Sequence, residues 1–79
     1  MPLGRMRTLT LPSGRPLSII EPSHDPSRRW SAHPMGSGYI VRRAGRGNSA
    51  WETVMGATSL TIRFTREDAE DLADLLNGA

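Results

Sequence analysis

Hydrophobic and polar residues alternate in several short stretches of the chain that predict β-strands. Apolar and polar side chains alternate at Leu9 and Leu11 in residues 6–11, MRTLTL, and at Leu60, Ile62 and Phe64 in residues 60–64, LTIRF. This period of two is typical of a strand with one buried face. Three further stretches have the composition of strands, namely 15–21 (RPLSIIE), 39–43 (YIVRR) and 49–55 (SAWETVM). The pattern therefore predicts five short strands, the first two joined by a turn at Pro12-Ser13-Gly14.

No period survives between residues 22 and 38, PSHDPSRRWSAHPMGSG. This segment holds three prolines, four serines, two glycines and both histidines of the chain. Such a composition favours turns over regular elements. The sequence therefore predicts a long irregular loop at about 22–38, and a loop of that length in a compact domain is usually either functional or disordered.

The period changes to that of an α-helix after residue 64. Thr65 is a suitable N-cap, and Asp68 three positions later comes close to a capping-box pattern. Asn77-Gly78 supplies a C-terminal stop. Between these ends, a single apolar stripe recurs at spacings of three and four, formed by Ala69, Leu72, Ala73 and Leu76.

Together these elements predict a single α+β domain over residues 1–79. An antiparallel sheet of about five short strands, a hairpin plus a three-stranded meander, is expected to carry the C-terminal amphipathic helix on one face. A domain of this size buries only about 60% of the surface of its unfolded chain, so its core is small. The chain has no cysteine to supplement that core with a disulfide, and self-association as a homodimer is one way to enlarge it.

The charges are separated along the chain. All ten basic residues are arginines and lie at or before Arg66, where only three acids accompany them, so residues 1–66 carry a net charge of +7. Residues 67–79 carry five carboxylates and no basic residue, a net charge of −5. The overall charge of +2 conceals this asymmetry, which is larger than the net charge alone suggests.

Four of the terminal carboxylates share one face of the predicted helix. At 100° per residue they fall within an arc of about 100° opposite the apolar stripe. One interpretation is a solvated face that keeps a small protein in solution. The other is a docking surface for a basic partner, or an imitation of a nucleic-acid backbone. The residues concerned are Glu67, Glu70, Asp71 and Asp74.

Arginine and tryptophan supply the second candidate surface. Arg28, Arg29 and Trp30 lie in the predicted loop. Trp30 either folds back onto the sheet or serves as an exposed anchor. The anchor is an alternative because tryptophan and arginine are both enriched at binding hot spots. Arg42 and Arg43 lie within the third predicted strand, and Arg46 lies in the turn after it. Neighbouring residues of a strand point to opposite faces, so Arg42 and Arg43 are not expected to share the solvent face. Arginines at a sheet edge also serve simply to prevent aggregation. Trp51 occupies an alternating position on one face of the fourth predicted strand and is therefore expected to belong to the core.

The sequence offers no convincing catalytic or metal-binding set, and we predict a protein that is not an enzyme and has no cofactor. There is no cysteine nucleophile, and GRG at 45–47 lacks the lysine and the following helix of a phosphate-binding loop. His24, Asp25 and His33 include zinc-ligand residue types, but their spacing matches no strong template. The N-terminus has no apolar run typical of a signal peptide, so a cytoplasmic location without membrane association is expected.

Small size, absent cysteine and opposed charge blocks give a profile that resembles phage-encoded inhibitors, including anti-CRISPR proteins. The resemblance is one of overall profile and rests on no diagnostic motif. It implies a non-enzymatic inhibitor that docks electrostatically on a host nucleic-acid-binding complex and blocks nucleic-acid access. In that case the four helix acids face the basic groove of the host, while Arg28, Arg29 and Trp30 anchor at its rim.

The alternative is a module that binds DNA or RNA directly. The ending of two strands and a helix resembles three-stranded-sheet DNA-binding domains, which lay a sheet into the major groove. That resemblance implies phosphate contacts from Arg42, Arg43, Arg46 and Arg63, with steep salt dependence. The acidic helix would then have to point away from the duplex.

Overall fold

The computed structural model describes residues 5–47, 50–56 and 60–78. In this part of the chain, five antiparallel strands form a two-stranded and a three-stranded sheet beside one C-terminal helix, which confirms the α+β prediction. The strands are β1 (Met6–Thr10), β2 (Pro16–Ile20), β3 (Ser31–Met35), β4 (Gly38–Ala44) and β5 (Trp51–Thr53), and the helix is α1 (Arg66–Leu76). Ser49, in the predicted fourth strand, lies outside the described residues.

The first two strands form the predicted hairpin. β1 pairs with β2 in antiparallel register, from Met6 opposite Ile20 to Thr10 opposite Pro16. Gly14 takes a φ of 94° in the turn between them, a conformation that glycine adopts without a steric penalty. Leu17 and Ile19 are buried while Ser18 is exposed, so the period of two in the sequence does mark the buried face of this strand.

The prediction of an irregular loop at 22–38 is wrong for its second half. Residues 31–35 form β3, which pairs with β4 through a tight turn that places Gly36 at a φ of 62°. Pro34 is tolerated there because β3 pairs on one side only and so forms an edge of the three-stranded sheet. Gly36-Ser37 is a two-residue hairpin signal, which the polar composition of the segment hid.

The three-stranded sheet is therefore built from β3, β4 and β5 rather than from the three later stretches. Residues 60–64 form bridges instead of a continuous strand, because their pairing partner changes along the segment. Gly56 N–H donates to the Leu60 carbonyl at 2.9 Å, whereas Phe64 exchanges two hydrogen bonds with Tyr39 at 2.8 and 2.9 Å. Another bridge, between Ile19 and Gly56, connects the hairpin to the same region.

The helix packs across β3 and β4 and closes a single core. Its apolar stripe faces inward as predicted, since Ala69, Leu72 and Ala73 are buried and Leu76 packs against them. Thr65 caps the N-terminus by accepting a hydrogen bond from Asp68 N–H at 3.2 Å. Besides these helix residues and Trp30, the core cluster contains Leu11, Leu17, Ile19, Val41, Val54 and Phe64.

Candidate functional site

The acidic face of α1, defined as Glu67, Glu70, Asp71 and Asp74, lies on the side of the helix that points away from the core. Glu67, Glu70 and Asp74 are exposed, and Asp71 is half-buried. Within the described part of the chain, only Glu70 has an ionic neighbour, Arg66 Nε at 3.8 Å, and both of these side chains are more than half exposed. The four carboxylates that the sequence grouped by periodicity thus share one surface that has little internal compensation.

The fifth carboxylate of the helix has a different role. Asp68 is buried at 7% exposure and accepts a hydrogen bond from Ser13 Oγ at 2.7 Å. Arg15 approaches the same carboxylate at 4.0 Å, from the turn between β1 and β2. A negative charge in the first turn is favoured by the helix dipole, so Asp68 fixes the hairpin to the beginning of the helix and belongs to the fold.

Two of the predicted binding arginines, Arg28 and Arg43, are structural, and their assignment to an exposed binding surface is wrong. Together with Asp25 and Glu52 they form what we call the internal arginine cluster. Arg43 is 1% exposed and binds Glu52 through two nitrogens at 2.8 and 3.2 Å, and Ser23 through its carbonyl and its hydroxyl. Arg28 binds Asp25 at 2.7 Å and Glu52 at 2.9 Å. Burial of the two cations is possible because two carboxylates accompany them.

Trp30 is also part of the fold, so the hypothesis of an exposed tryptophan anchor is wrong and the fold-back alternative is confirmed. Its ring is 6% exposed and lies beneath the Arg43 guanidinium, whose Cζ is 4.4 Å from the ring centroid. The Asn77 side chain holds the Trp30 backbone, accepting from its N–H at 2.7 Å and donating to its carbonyl at 3.0 Å. The helix C-terminus therefore orders the segment before β3.

The carboxylates of the internal arginine cluster are held in their ionised form. Hydrogen bonds from Ser27 and Arg28 place the pKa of Asp25 well below its usual range. Hydrogen bonds from Arg43, and then from Arg28, lower the pKa of Glu52 against the opposing effect of burial. The same pairing, with Asp25 first, raises the pKa of Arg28. Each ion pair therefore persists to a lower pH than it would between isolated side chains.

We expect the free energy of unfolding to fall as the pH drops below about 4, where carboxyl groups of the unfolded chain take up protons. Asp25 and Glu52 have depressed folded-state pKa values, so their contribution is present above the unfolded pKa and is lost as pH falls towards the folded one. Urea denaturation at a series of pH values measures this loss. Glu52→Gln should make the decrease shallower, while Glu21→Gln, a change at an exposed acid, should leave it unaltered. A wild-type stability that stays constant down to pH 3 contradicts the prediction.

The remaining predicted arginines lie on the surface. Arg29 and Arg46 are exposed, and Arg42 is half-buried on the face of β4 opposite Arg43, as alternation requires. Arg42 stacks on Trp51, with Cζ 3.8 Å from the ring centroid. Trp51 is 56% exposed, so the prediction that it belongs to the core is wrong. The core residue of this segment is instead Val54, directly after β5, which is 3% exposed.

The structure does not bring the two histidines together into a site. His24 is exposed in the segment before β3, whereas His33 is half-buried within β3. Among the described residues, no group of three or more His, Asp or Glu side chains is arranged to hold a metal ion. No helix in the described ranges is both long enough and apolar enough to cross a membrane.

The pairing of Arg43 with Glu52 is the site feature that sequence reasoning missed. The two residues lie opposite each other on β4 and β5, and their Cα register puts opposite charges side by side. The sequence predicts residues 39–43 and 49–55 as neighbouring strands, so the signal that could have revealed the pair is the register between these two strands.

Comparison of the chain with protein-family models, curated proteins and solved structures finds no match in any of the three.

Proposed function

We propose that this protein is a non-enzymatic interaction protein that acts as a stoichiometric inhibitor, as the resemblance to phage-encoded inhibitors implies. In this proposal the acidic face of α1 docks on the basic nucleic-acid-binding surface of a host complex and blocks access of nucleic acid. One observation carries the proposal: four carboxylates share a solvent-facing helix surface, and within the described residues Arg66 is the one cation that lies within 4.0 Å of any of them.

This arrangement costs stability. The four acids stand three or four residues apart, where like charges repel by about 0.2–0.5 kcal/mol per pair. The last turn of α1 has no basic residue, so Asp74 also opposes the helix dipole. Solvation alone is served equally well by alternating charges. Selection for a partner of opposite charge explains why this surface has acids where arginines would stabilise the helix.

The spacing of the acids suits a surface that binds nucleic acid. Glu67 and Asp74 are seven residues apart, which corresponds to about 10 Å along a helix axis. Four charges over that distance give a mean axial spacing of about 3.5 Å, close to the 3.4 Å of duplex axis per charge of one strand in B-DNA. A groove that binds one strand through its phosphates therefore meets a similar density of negative charge on α1.

The surface arginines limit how the protein can orient on its partner. With the internal arginine cluster excluded, the charges left for contacts at the rim are those of Arg29, Arg42 and Arg46. Arg42 lies on the face of the three-stranded sheet that the helix leaves uncovered. Docking through α1 therefore directs Arg42 away from the basic groove. At the groove itself, the negative charge of the acidic face steers the approach and sets the register of the complex.

Replacing the acidic face by its amides, as Glu67→Gln, Glu70→Gln, Asp71→Asn and Asp74→Asn together, tests the proposal. We expect capture of nucleic-acid-binding complexes from a nuclease-treated bacterial lysate to weaken about ten- to hundredfold, as expected for four exposed charge pairs. The variant should fold at least as stably as the wild type, since repulsion is relieved. Excess DNA should compete with the wild type for the captured complex.

The control is the double variant Arg5→Gln and Arg7→Gln, which removes exposed charges of the opposite sign that are not among the arginines left for rim contacts. It should capture the same complex as strongly as the wild type or more strongly. Equal capture by the amide variant, with its fold intact, refutes docking through α1.

A second candidate function is direct binding of nucleic acid by the uncovered face of the sheet. The observation in its favour is the stacked pair of Arg42 and the exposed Trp51, since an aromatic ring beside a cation can stack an unpaired base. A mobility shift of labelled oligonucleotides at about 100 mM salt distinguishes the two functions. Direct binding that Trp51→Ala abolishes favours this candidate over the inhibitor.

A further inference from the structure

A small cavity with several arginines lies between β1, the segment before β3 and the end of α1. Its volume is about 150 Å³, below the range of about 300–1,000 Å³ typical of pockets for drug-sized ligands. Its arginines are Arg7, Arg28, Arg29 and Arg43, against the two carboxylates of Glu21 and Asp25. The lining is therefore positively charged and of a size for a small anion.

The cations occupy different depths of the cavity. Arg43 is buried and holds Ser23 in place from within, with its Nη1 3.0 Å from the Ser23 carbonyl. Arg7 and Arg29 are exposed, and the described residues offer them no ion pair. An anion that enters from solvent thus meets two exposed guanidinium groups first and two hydrogen-bonded ones behind them.

Arg28 gives the clearest indication of a ligand. Its side chain is 10% exposed, and its Nε and Nη1 are bound to Asp25, Glu52 and the Ala44 carbonyl. Its Nη2 is buried and has no hydrogen-bond partner among the described residues. A buried donor without an acceptor is costly, and a charged one more so. Arg28 is one of the residues that line the cavity, so an oxyanion bound there is a candidate acceptor for this donor.

The neighbouring carboxylates do not neutralise the cavity. Asp25 is engaged locally, accepting from the Ser27 backbone and hydroxyl at 3.1 and 2.6 Å as well as from Arg28. Its charge is balanced by Arg28, and that of Glu52 by Arg43. Among the remaining arginines and carboxylates of the lining, the two positive charges of Arg7 and Arg29 exceed the single negative charge of Glu21.

We propose that this cavity binds a phosphate group, either as the free anion or on a small phosphomonoester. Guanidinium groups match phosphate because they donate two parallel hydrogen bonds to its oxygens. Arg7 and Arg29 close on the anion from the rim, and Arg28 supplies the internal donor. The site is separate from the acidic face of α1 and does not depend on the function proposed for that face.

Titration with inorganic phosphate at constant ionic strength, followed by calorimetry and by the arginine Nε–H signals in NMR spectra, tests the assignment. The wild type should show saturable binding, with the Arg28 signal shifting along the same curve. Arg7→Ala with Arg29→Ala should weaken binding by about tenfold or more, the equivalent of one charge-assisted hydrogen bond. Both substitutions are at exposed positions, so thermal unfolding should show an intact fold.

The matched control is Arg5→Ala with Arg46→Ala, which removes the same charge from exposed arginines outside the cavity lining. It should change phosphate affinity by less than about twofold, the scale of a screened long-range charge effect. Methyl phosphate, titrated in parallel, separates the two forms of the ligand: saturation by both assigns a phosphomonoester site, and saturation by inorganic phosphate alone assigns the free anion. A linear, unsaturable response of the wild type, or equal weakening by both double variants, overturns the proposal.

Discussion

Replacing Arg43 with methionine will destabilise the protein by about 3 kcal/mol, because removing one partner of a buried ion pair deprives the other of its closest counter-charge. Arg43 is 1% exposed and makes four hydrogen bonds, two to Glu52 and two to Ser23. Methionine keeps an unbranched side chain over the Trp30 ring, so the measured loss reports the guanidinium group. We place the effect at the lower end of the range because Glu52 is 37% exposed and still binds Arg28.

Urea denaturation followed by circular dichroism measures this loss, and Arg42→Met is its control. The two arginines are adjacent on β4, but Arg42 lies on the opposite face, where it stacks on the exposed ring of Trp51. An exposed cation–π pair contributes about 0.5–1 kcal/mol, so the control should cost no more than that. Similar losses for the two variants would show that the burial of Arg43 has no special energetic role.

Leu72→Ala is expected to destabilise the protein by about 2–5 kcal/mol, the range for truncating a buried leucine. Leu72 is fully buried at 0% exposure, at the centre of the apolar stripe that α1 lays across β3 and β4. Alanine has a higher helix propensity than leucine, so the loss comes from packing alone. In a small domain with a total stability of about 5–15 kcal/mol, a loss of this size removes a large fraction.

Leu75→Ala provides the matched comparison on the same helix. Leu75 is 39% exposed and lies outside the core cluster. We expect a change within about 1 kcal/mol, since surface substitutions have small effects. Thermal and urea unfolding of the two variants will show whether α1 is held by its stripe. A Leu75→Ala loss equal to that of Leu72→Ala would mean that the helix packs through a different face.

The sequence predicted the helix and the strands correctly in most segments that showed one clear hydrophobic period, either that of a strand or that of a helix. Alternation around Leu17 and Ile19 marked β2, and the spacing of Ala69, Leu72 and Ala73 marked the buried stripe of α1. It also grouped the acidic face correctly, because positions on a helix follow from a fixed 100° rotation per residue. The predictions failed where a strand had no apolar alternation, as in β3, or where apolar alternation belonged to bridges, as in residues 60–64.

The arginines predicted as a binding site separate into buried and exposed ones according to tertiary contacts, which their positions in the sequence do not reveal. Arg28 and Arg29 are neighbours in the chain, yet one binds Asp25 and Glu52 and the other is exposed. For Trp30 the sequence left both burial and exposure open, and the fold buries it, whereas Trp51 was expected in the core and is 56% exposed. Glu52 lies opposite Arg43 only through the register of β4 and β5.

By itself, the sequence determined the helix, the hairpin, the fold class and the line of four carboxylates, since these depend on short-range periodicity and backbone preference. Only the tertiary structure decided which arginines are enclosed and which face solvent. It also gathered Arg7, Arg28, Arg29 and Arg43 around one cavity. The physical reason is that a charge enters the interior only beside its counter-charge, and distant residues become neighbours through strand register and helix packing.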